Sequence, residues 1–236
     1  LHAMMAVRAQ VLTKPGVDAL RNLAAQAQAS SFVASPRAKQ AGVLYGATFA
    51  ELAQRNFGEA RQHLSRLQAL GGLDAGAQRV VRLLSAEVAL AAGDAAQAVA
   101  LLESKTTIVA NNDRATRIQL AQSRIATRKP AQGKIAASDL SLWLNQHPRD
   151  ATVWLVQASA FELQGDPLRA IRSQAEARAM ELDYGAAVDR FKAAQLLAHQ
   201  MASEGKLDRA GHMEASIIDA RLRELERLRR EQTLER

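Results

Sequence analysis

The sequence predicts an all-α protein built of antiparallel helix hairpins that stack side by side, closed by a C-terminal helix. Alanine accounts for 49 of the 236 residues, whereas aromatic residues make up only 4%. Alanine and leucine are good helix formers and poor strand residues. At four turns a helix-ending signal is followed at once by a helix start. Small residues also recur at intervals of 38, 38 and 34, at Ala60, Ala98, Ala136 and Ala170.

The composition excludes several classes of protein and site. An all-β or parallel-sheet protein would need many more aromatic and β-branched residues. Without cysteine, the chain cannot carry a disulfide scaffold, a thiolate metal site or a thiol nucleophile. No run approaches the roughly eighteen consecutive apolar residues that span a bilayer. The first residues also lack the charged and hydrophobic regions of a signal peptide.

The net charge is +7, and part of this excess is local. Between Arg114 and Arg149, seven basic residues accompany a single acid, Asp139. Such a segment favours acidic partners. Nucleic acid is one interpretation, but the chain has no nucleic-acid motif and few aromatic residues for base stacking. We therefore expect a solvated basic surface there.

Residues 1–35 precede the repeats and are predicted to form two helices that end near Ser35-Pro36. The residue before a proline avoids helical geometry, which explains the stop. The apolar positions on the helical stripes are Val7 and Val11, then Val17, Leu20 and Leu23.

The turns between the repeat helices share one chemistry. Gly93 and Gly165 suit the left-handed position that closes a helix. Gln97 is predicted to complete a capping box, and Pro167 stands at a first helical position, where its missing N–H costs nothing. The predicted N-caps are Asn56, Asp94, Asp166 and Asp183.

Behind the turns comes a small residue, in most cases with apolar residues four and seven positions later; after Ala98 the fourth position is Leu102, but the seventh is Lys105. Positions zero, four and seven lie on one stripe of a helix, so the small residue marks the closest approach of a neighbouring helix. A single irregular helical bundle is the alternative, but it would not impose a common spacing. The stripes are Ala60, Leu64 and Leu67; Ala136, Leu140 and Trp143; and Ala187, Phe191 and Ala194.

The best copy of this unit resembles the tetratricopeptide repeat, whose period is 34 residues. Pro148 stands where the preceding repeat should end, whereas Gln174 departs from the pattern because a large apolar residue is expected there. Earlier copies are degenerate. The residues that match the repeat are Trp154, Ala158, Phe161, Gly165 and Ala170, and the next copy contributes Ala187 and Phe191.

The tail from residue 206 is predicted to form one amphipathic helix, with Ile218, Leu222 and Leu225 on its apolar stripe. A terminal helix of this kind covers the open end of a stack. A partner in a coiled coil is the alternative. Acid-before-base pairs four residues apart, Asp219 with Arg223 and Glu226 with Arg230, are expected to stabilise it.

The sequence offers no recognisable catalytic motif. The five histidines include no His-Glu-x-x-His pair of a zinc peptidase, and the glycines form neither a phosphate-binding loop nor a dinucleotide fingerprint. No Gly-x-Ser-x-Gly turn occurs. We therefore expect a chain that is not an enzyme and holds no cofactor or metal.

A stack of helix hairpins presents the first helix of each pair along a groove that accepts extended peptides. The positions predicted to line it combine apolar and basic residues, which would select an acidic ligand or a C-terminal carboxylate. Solvation of an outer surface is the alternative. The predicted groove residues are Arg124, Arg128, Lys129, Thr152, Leu155, Ser159 and Glu162.

Three stretches resemble a bacterial family of periplasmic zinc metallopeptidases, of the β-barrel assembly-enhancing protease type and related to CAAX prenyl and HtpX-like proteases. They are residues 1–9, 154–194 and 214–225. In this family a tetratricopeptide-repeat domain follows the protease domain. The resemblance implies a periplasmic location, a protease domain upstream that holds the zinc, and partners among the proteins of outer-membrane β-barrel assembly.

The predicted organisation has three parts: residues 1–35 after the protease domain, 36–205 as degenerate repeats, and 206–236 as the capping helix. The predicted function is non-catalytic recruitment of substrates or partners for such a peptidase in outer-membrane quality control. Two alternatives remain open: a free-standing repeat adaptor, and a basic helical repeat that binds nucleic acid.

Overall fold

A computed structural model describes residues 1–13, 16–103 and 113–234 of the chain. Within these ranges the backbone forms thirteen α-helices and one short 3-10 helix, and no strand. Many of these helices pack on the next helix in the sequence. The predicted all-α fold of packed helix hairpins is confirmed.

The chain divides into two compact units, Leu1–Asn112 and Asp113–Arg236. The predicted domain limits at residues 35 and 205 fall inside these units and stay predictions.

The first unit contains seven described helices. They are α1 (His2–Leu12), α2 (Val17–Ala25), α3 (Ser31–Ala34), α4 (Arg37–Ala53), α5 (Phe57–Gln68), α6 (Ala75–Ala91) and α7 (Ala95–Glu103). Helix α4 lies at the centre, because it packs against α1, α2, α5 and α6. Its buried Leu44 and Tyr45 join Met4, Leu67 and Leu84 in the core.

The N-terminal segment is more broken than predicted. Helix α2 is followed by the 3-10 turn Gln26–Gln28 and by the single-turn helix α3, so residues 1–35 hold three α-helices rather than two. Val11, Leu20 and Leu23 are buried as expected, but Val17 is 54% exposed. Val17 is the first residue of α2.

Helices α1 and α4 approach closely through glycine. A Cβ atom on Gly42 would lie 2.8 Å from the Cβ of Ala3, and one on Gly46 would lie 2.4 Å from Cγ1 of Val7. Ordinary contacts begin near 3.4 Å. These two glycines therefore serve helix packing.

The second unit contains six described helices. They are α8 (Arg114–Ala126), α9 (Pro130–Gln146), α10 (Ala151–Gln164), α11 (Pro167–Met180), α12 (Tyr184–Ser203) and α13 (Arg209–Leu234). Each packs on the next, and in addition α8 contacts α10 and α11 contacts α13. These contacts between first and third helices are those expected of stacked hairpins, not of helices gathered round one centre.

Five helices end in the same left-handed turn, although only three of the turns use glycine. The residue with positive φ is Arg55, Gly93, Gly165, Leu182 or Gly205, with values from 62° to 86°. The next residue donates its backbone N–H to the carbonyl five positions earlier, at 2.8 to 3.0 Å, as in a Schellman motif. The recurrence of one turn geometry supports the repeat prediction from the backbone itself.

The predicted caps are mostly confirmed. Side chains of Asp94, Asp166 and Asp183 each accept a hydrogen bond from the N–H three residues on, at 2.9 to 3.2 Å. Asn56 starts α5 without a side-chain capping bond, and its amide donates to Oε2 of Glu51 at 2.7 Å. The capping box at Gln97 is incomplete, since the N–H of Asp94 already binds the carbonyl of Ala89.

The spaced small residues are buried where neighbouring helices meet. Ala60, Ala98, Ala136 and Ala187 have no exposed surface, and Ala170 is 2% exposed. Among the larger repeat residues, Phe161 and Phe191 are buried. Trp154 is half-buried and donates its indole N–H to the carbonyl of Pro148 at 2.9 Å.

Helix α13 is held to the second unit by its predicted stripe of Ile218, Leu222 and Leu225, all buried. Arg221 adds a two-pronged ion pair to buried Glu176 on α11, at 2.6 and 2.7 Å. The expected acid–base pairs along α13 do not form as predicted.

The two acids of those pairs bind α12 instead. Asp219 accepts a hydrogen bond from Gln195 at 2.9 Å, and Glu226 lies 3.3 Å from Nζ of Lys192. Packing against α12 brings these partners closer than the next turn of the same helix.

Candidate functional site

A cavity of about 350 Å³ opens between α10, α11 and α12 in the second unit. We call this cavity the α10–α12 groove. The residues that line it are Leu155, Ala158, Ser159, Gln174, Arg178 and Arg190. Two of the seven predicted groove residues, Leu155 and Ser159, therefore line it. Its volume lies at the lower end of the range of ligand pockets, about 300 to 1,000 Å³.

The groove exists because α10 buries one face and exposes another. One stripe of α10 faces solvent, with Ser159 half-buried in it and the other three residues exposed. Its residues recur at helical spacing and are Thr152, Leu155, Ser159 and Glu162. The residues on the opposite face, among them Val153, Val156 and Ala160, are buried against neighbouring helices. Leu155 is 44% exposed, which leaves apolar surface uncovered at the groove.

The polar wall of the groove is a bridge across three helices. The side-chain amide of Gln174 donates to Oε1 of Glu162 at 2.7 Å, and its carbonyl accepts from the Arg190 guanidinium at 2.5 Å. These two bonds fix which way the amide points. Gln174 therefore holds Arg190 in place and stands between it and the carboxylate of Glu162.

Arg178 lies on α11 one turn after Gln174 and also lines the cavity. Its guanidinium binds Glu181 at 3.0 Å. A guanidinium carries five N–H donors, so each arginine of the groove has donors beyond those used in its own ion pair or hydrogen bond. The groove thus combines apolar surface, a serine hydroxyl and two permanent positive charges.

The predicted basic residues of the groove lie elsewhere. Arg124 is 8% exposed and forms an ion pair with Asp139 on α9. It points into the packing between two helices and does not line the α10–α12 groove. Arg128 and Lys129 are exposed at the turn between α8 and α9, where Arg128 adopts a left-handed backbone with φ of 56°. They do not line the cavity either.

Three groove residues were missed by sequence reasoning: Gln174, Arg178 and Arg190. Gln174 was the one with a signal, since it breaks the repeat pattern at a position that usually holds a large apolar residue. Arg178 and Arg190 carried none, because each is one arginine among many on exposed helix faces.

The basic segment between Arg114 and Arg149 is partly neutralised by its own fold. Arg114 donates two hydrogen bonds to Asp150, at 2.7 and 2.8 Å, and these hold the pKa of that carboxyl below its ordinary value. The indole N–H of Trp143 also donates to Asp150, at 3.1 Å. The guanidinium of Arg117 lies over the Trp143 ring, 5.6 Å from its centroid.

Among the histidines, His63 is the one buried in the described ranges, at 3% exposure. Its Nδ1 atom has no hydrogen-bond partner there. Burial lowers the pKa of His63, and the charge of Arg66 lowers it further. In the part of the chain that the structure describes, no three histidine, aspartate or glutamate side chains are grouped as metal ligands would be.

No described helix has the length and apolar composition that crossing a bilayer requires. No protein-family model matches the chain, and no curated protein matches it.

Proposed function

We propose that this chain is a non-catalytic protein–protein interaction domain that binds a segment of its partner in the α10–α12 groove. The observation that carries the proposal is the exposed Leu155 beside Arg178 and Arg190 in one cavity. Apolar surface with a few convergent polar groups is the usual composition of a binding site.

The polar groups of this groove suit recognition. A hydroxyl and an amide can donate and accept hydrogen bonds, and two guanidiniums can donate them. All of them project from helices that are packed on both sides, so the geometry of the groove is fixed before a ligand binds. Such preorganisation reduces the entropy lost on binding.

The wider proposal is that the domain recruits substrates or partners for a periplasmic zinc metallopeptidase in outer-membrane quality control. Its support is the resemblance of residues 1–9, 154–194 and 214–225 to that family. Zinc would then be held by the protease domain, and the partners would include components of β-barrel assembly. The tetratricopeptide assignment, supported by the recurring turns and buried small residues, belongs to this same proposal.

The reading frame that encodes this chain distinguishes this proposal from a free-standing repeat adaptor. An upstream His-Glu-x-x-His motif in the same reading frame supports the peptidase, and a frame without one favours the adaptor. Nucleic-acid binding has less support, because Arg114 and Arg124 in the basic segment are paired with aspartates.

A peptide array tests the groove. The chain is applied to an array of random ten-residue peptides, and Leu155→Asp should lower the signal of the strongest binders at least about tenfold, since it places a charge on the apolar surface. Leu142→Asp is the matched control, because Leu142 is also an exposed leucine, at 61%, and lies on α9 outside the cavity. Equal binding by all three proteins would refute the groove as the binding site.

A further inference from the structure

We propose that the outer face of α13 is an interaction surface, which pairs with an acidic amphipathic helix of a partner protein as in a short coiled coil. No residue of this face lines the α10–α12 groove, so the inference goes beyond the proposed function and does not depend on it.

Helix α13 has two faces with different surroundings. One face carries the buried Ile218, Leu222 and Leu225, which pack onto the second unit. On the other face, residues alternate at spacings of four and three, which is the spacing of the contact positions in a coiled coil. We call these residues the outer seam. All of them are exposed, and they are Met213, Ile217, Ala220, Glu224, Arg227, Glu231 and Leu234.

Four of the seven seam residues are apolar. Met213 is 62% exposed, Ile217 is 37% exposed and Leu234 is 87% exposed. A single exposed apolar residue is ordinary on a protein surface, so the exposure alone indicates no site. Here, however, large apolar side chains recur on one seam, where a second helix would cover them together.

The flank of the seam carries positive charge that the described part of the chain does not compensate. Arg223 and Arg230 each precede a seam residue, at positions where coiled-coil helices form ion pairs with their partners. Both are exposed, and within the described ranges neither forms an ion pair with an acidic side chain. By contrast, the seam glutamates Glu224 and Glu231 are paired with arginines of their own helix. The face therefore attracts acidic side chains.

A second copy of this chain is a poor occupant, because self-pairing brings like charges together. In a parallel pair each seam residue faces its own counterpart, so Arg227 would face Arg227 of the other copy. In the antiparallel register that sets Ile217 against Leu234, Arg223 comes beside Arg230 of the other copy. A partner helix with glutamate or aspartate on its flanks meets the same arginines favourably.

A lipid surface fits the seam less well than a helix does. A helix that lies on a membrane buries a broad apolar face in the headgroup region. The apolar stripe of α13 already packs onto the second unit, and the seam is narrow and interrupted by Glu224 and Glu231. A narrow stripe of this kind is typical of a coiled-coil seam.

The test uses the whole chain and a fluorescein-labelled peptide of three heptads, with leucine at both contact positions and glutamate on both flanks. The flanking glutamates keep this peptide from pairing with itself. A second peptide carries lysine in place of these glutamates, and a third has the composition of the first in scrambled order. In fluorescence polarisation the acidic peptide should bind at least about tenfold more tightly than either control. Circular dichroism should show that it gains helix on binding.

Three variants test the seam itself. Ile217→Asp should weaken binding of the acidic peptide at least about tenfold, because it places a charge where an apolar contact forms. Met213→Asp changes a more exposed seam residue and should weaken binding without lowering the melting temperature, which separates loss of contact from loss of fold. Leu196→Asp is the matched control, since Leu196 is 71% exposed and lies on α12 outside the seam.

A pair of double variants tests the charge. Arg223→Gln combined with Arg230→Gln should bring the affinities of the acidic and lysine peptides close together. Arg128→Gln combined with Arg149→Gln removes the same charge from exposed turns of the second unit and should leave the ratio of the two affinities unchanged.

Four results would overturn the proposal. Equal binding of the acidic and scrambled peptides would reduce the effect to net charge. Binding that both Ile217→Asp and Met213→Asp leave intact would place the peptide elsewhere on the chain. Dimers in sedimentation velocity that Ile217→Asp abolishes would assign the seam to a second copy, and tighter binding to vesicles of anionic lipid than to the acidic peptide would assign it to a lipid surface.

Discussion

The close approach of α1 and α4 makes a prediction about Gly46→Ala. Its effect on stability should change sign according to whether position 7, opposite Gly46, holds valine or alanine. The new Cβ would lie 2.4 Å from Cγ1 of Val7, about 1 Å inside ordinary contact distance. Valine in a helix is held to one rotamer, so it cannot swing aside, and the helices must separate. Such overpacking costs ~1–3 kcal/mol.

Against this cost stands the gain from replacing glycine by alanine within a helix, about 1 kcal/mol. Gly46→Ala should therefore destabilise the first unit by about 1 kcal/mol. In a Val7→Ala background the clashing methyl is gone, and Gly46→Ala should then stabilise by up to about 1 kcal/mol. The coupling between the two sites should be about 2 kcal/mol.

Native-state hydrogen exchange of the α4 amides measures this, because it reports the free energy of opening in the unit concerned. Gly58→Ala is the control, since a Cβ there has no neighbour within 4 Å and should stabilise α5 slightly. If Gly46→Ala changes the stability in the same direction with valine and with alanine at position 7, the argument from helix contact is wrong.

Two further predictions concern burial. Ala170→Trp should destabilise the second unit by ~1–3 kcal/mol or more, since Ala170 is 2% exposed between packed helices. Urea unfolding followed by circular dichroism measures this loss of stability. Ala220→Trp is the control, because Ala220 is exposed and its replacement should change the stability little. Burial holds the pKa of His63 below 6.5 in the folded chain, so its protonation opposes folding. Stability should therefore be highest above about pH 6.5 and fall as the pH drops toward 5, and His63→Gln should reduce that fall, whereas loss of exposed His199 should not. An equally steep loss in His63→Gln would contradict the assignment.

Much of the fold could be predicted because its signals are local. Asp94, Asp166 and Asp183 cap helices through an N–H only three residues away, so the sequence contains both partners of each bond. The same turn at Arg55 and Leu182 had no glycine to mark it. There the Schellman hydrogen bonds and the packing impose a backbone that the residue type does not favour.

The candidate site was predicted only in part. The stripe of α10 that contains Leu155 and Ser159 followed from helical spacing and lines the groove. Arg124 followed from the same reasoning and is buried against Asp139, because the face that a helix presents depends on which neighbours it meets. Nothing in a run of basic residues indicates which of them will find an acid on another helix.

The amino-acid sequence alone determined the helical class, the places where hairpins turn and the small residues on which helices pack, since these depend on residues within one or two helical turns. The tertiary structure decided which charges are free and where a cavity forms. Gln174 meets Arg190 across 16 residues, and Glu176 meets Arg221 across 45. Contacts at such separations exist only after helices have packed, and side-chain bonds of this kind leave no periodic trace in the sequence.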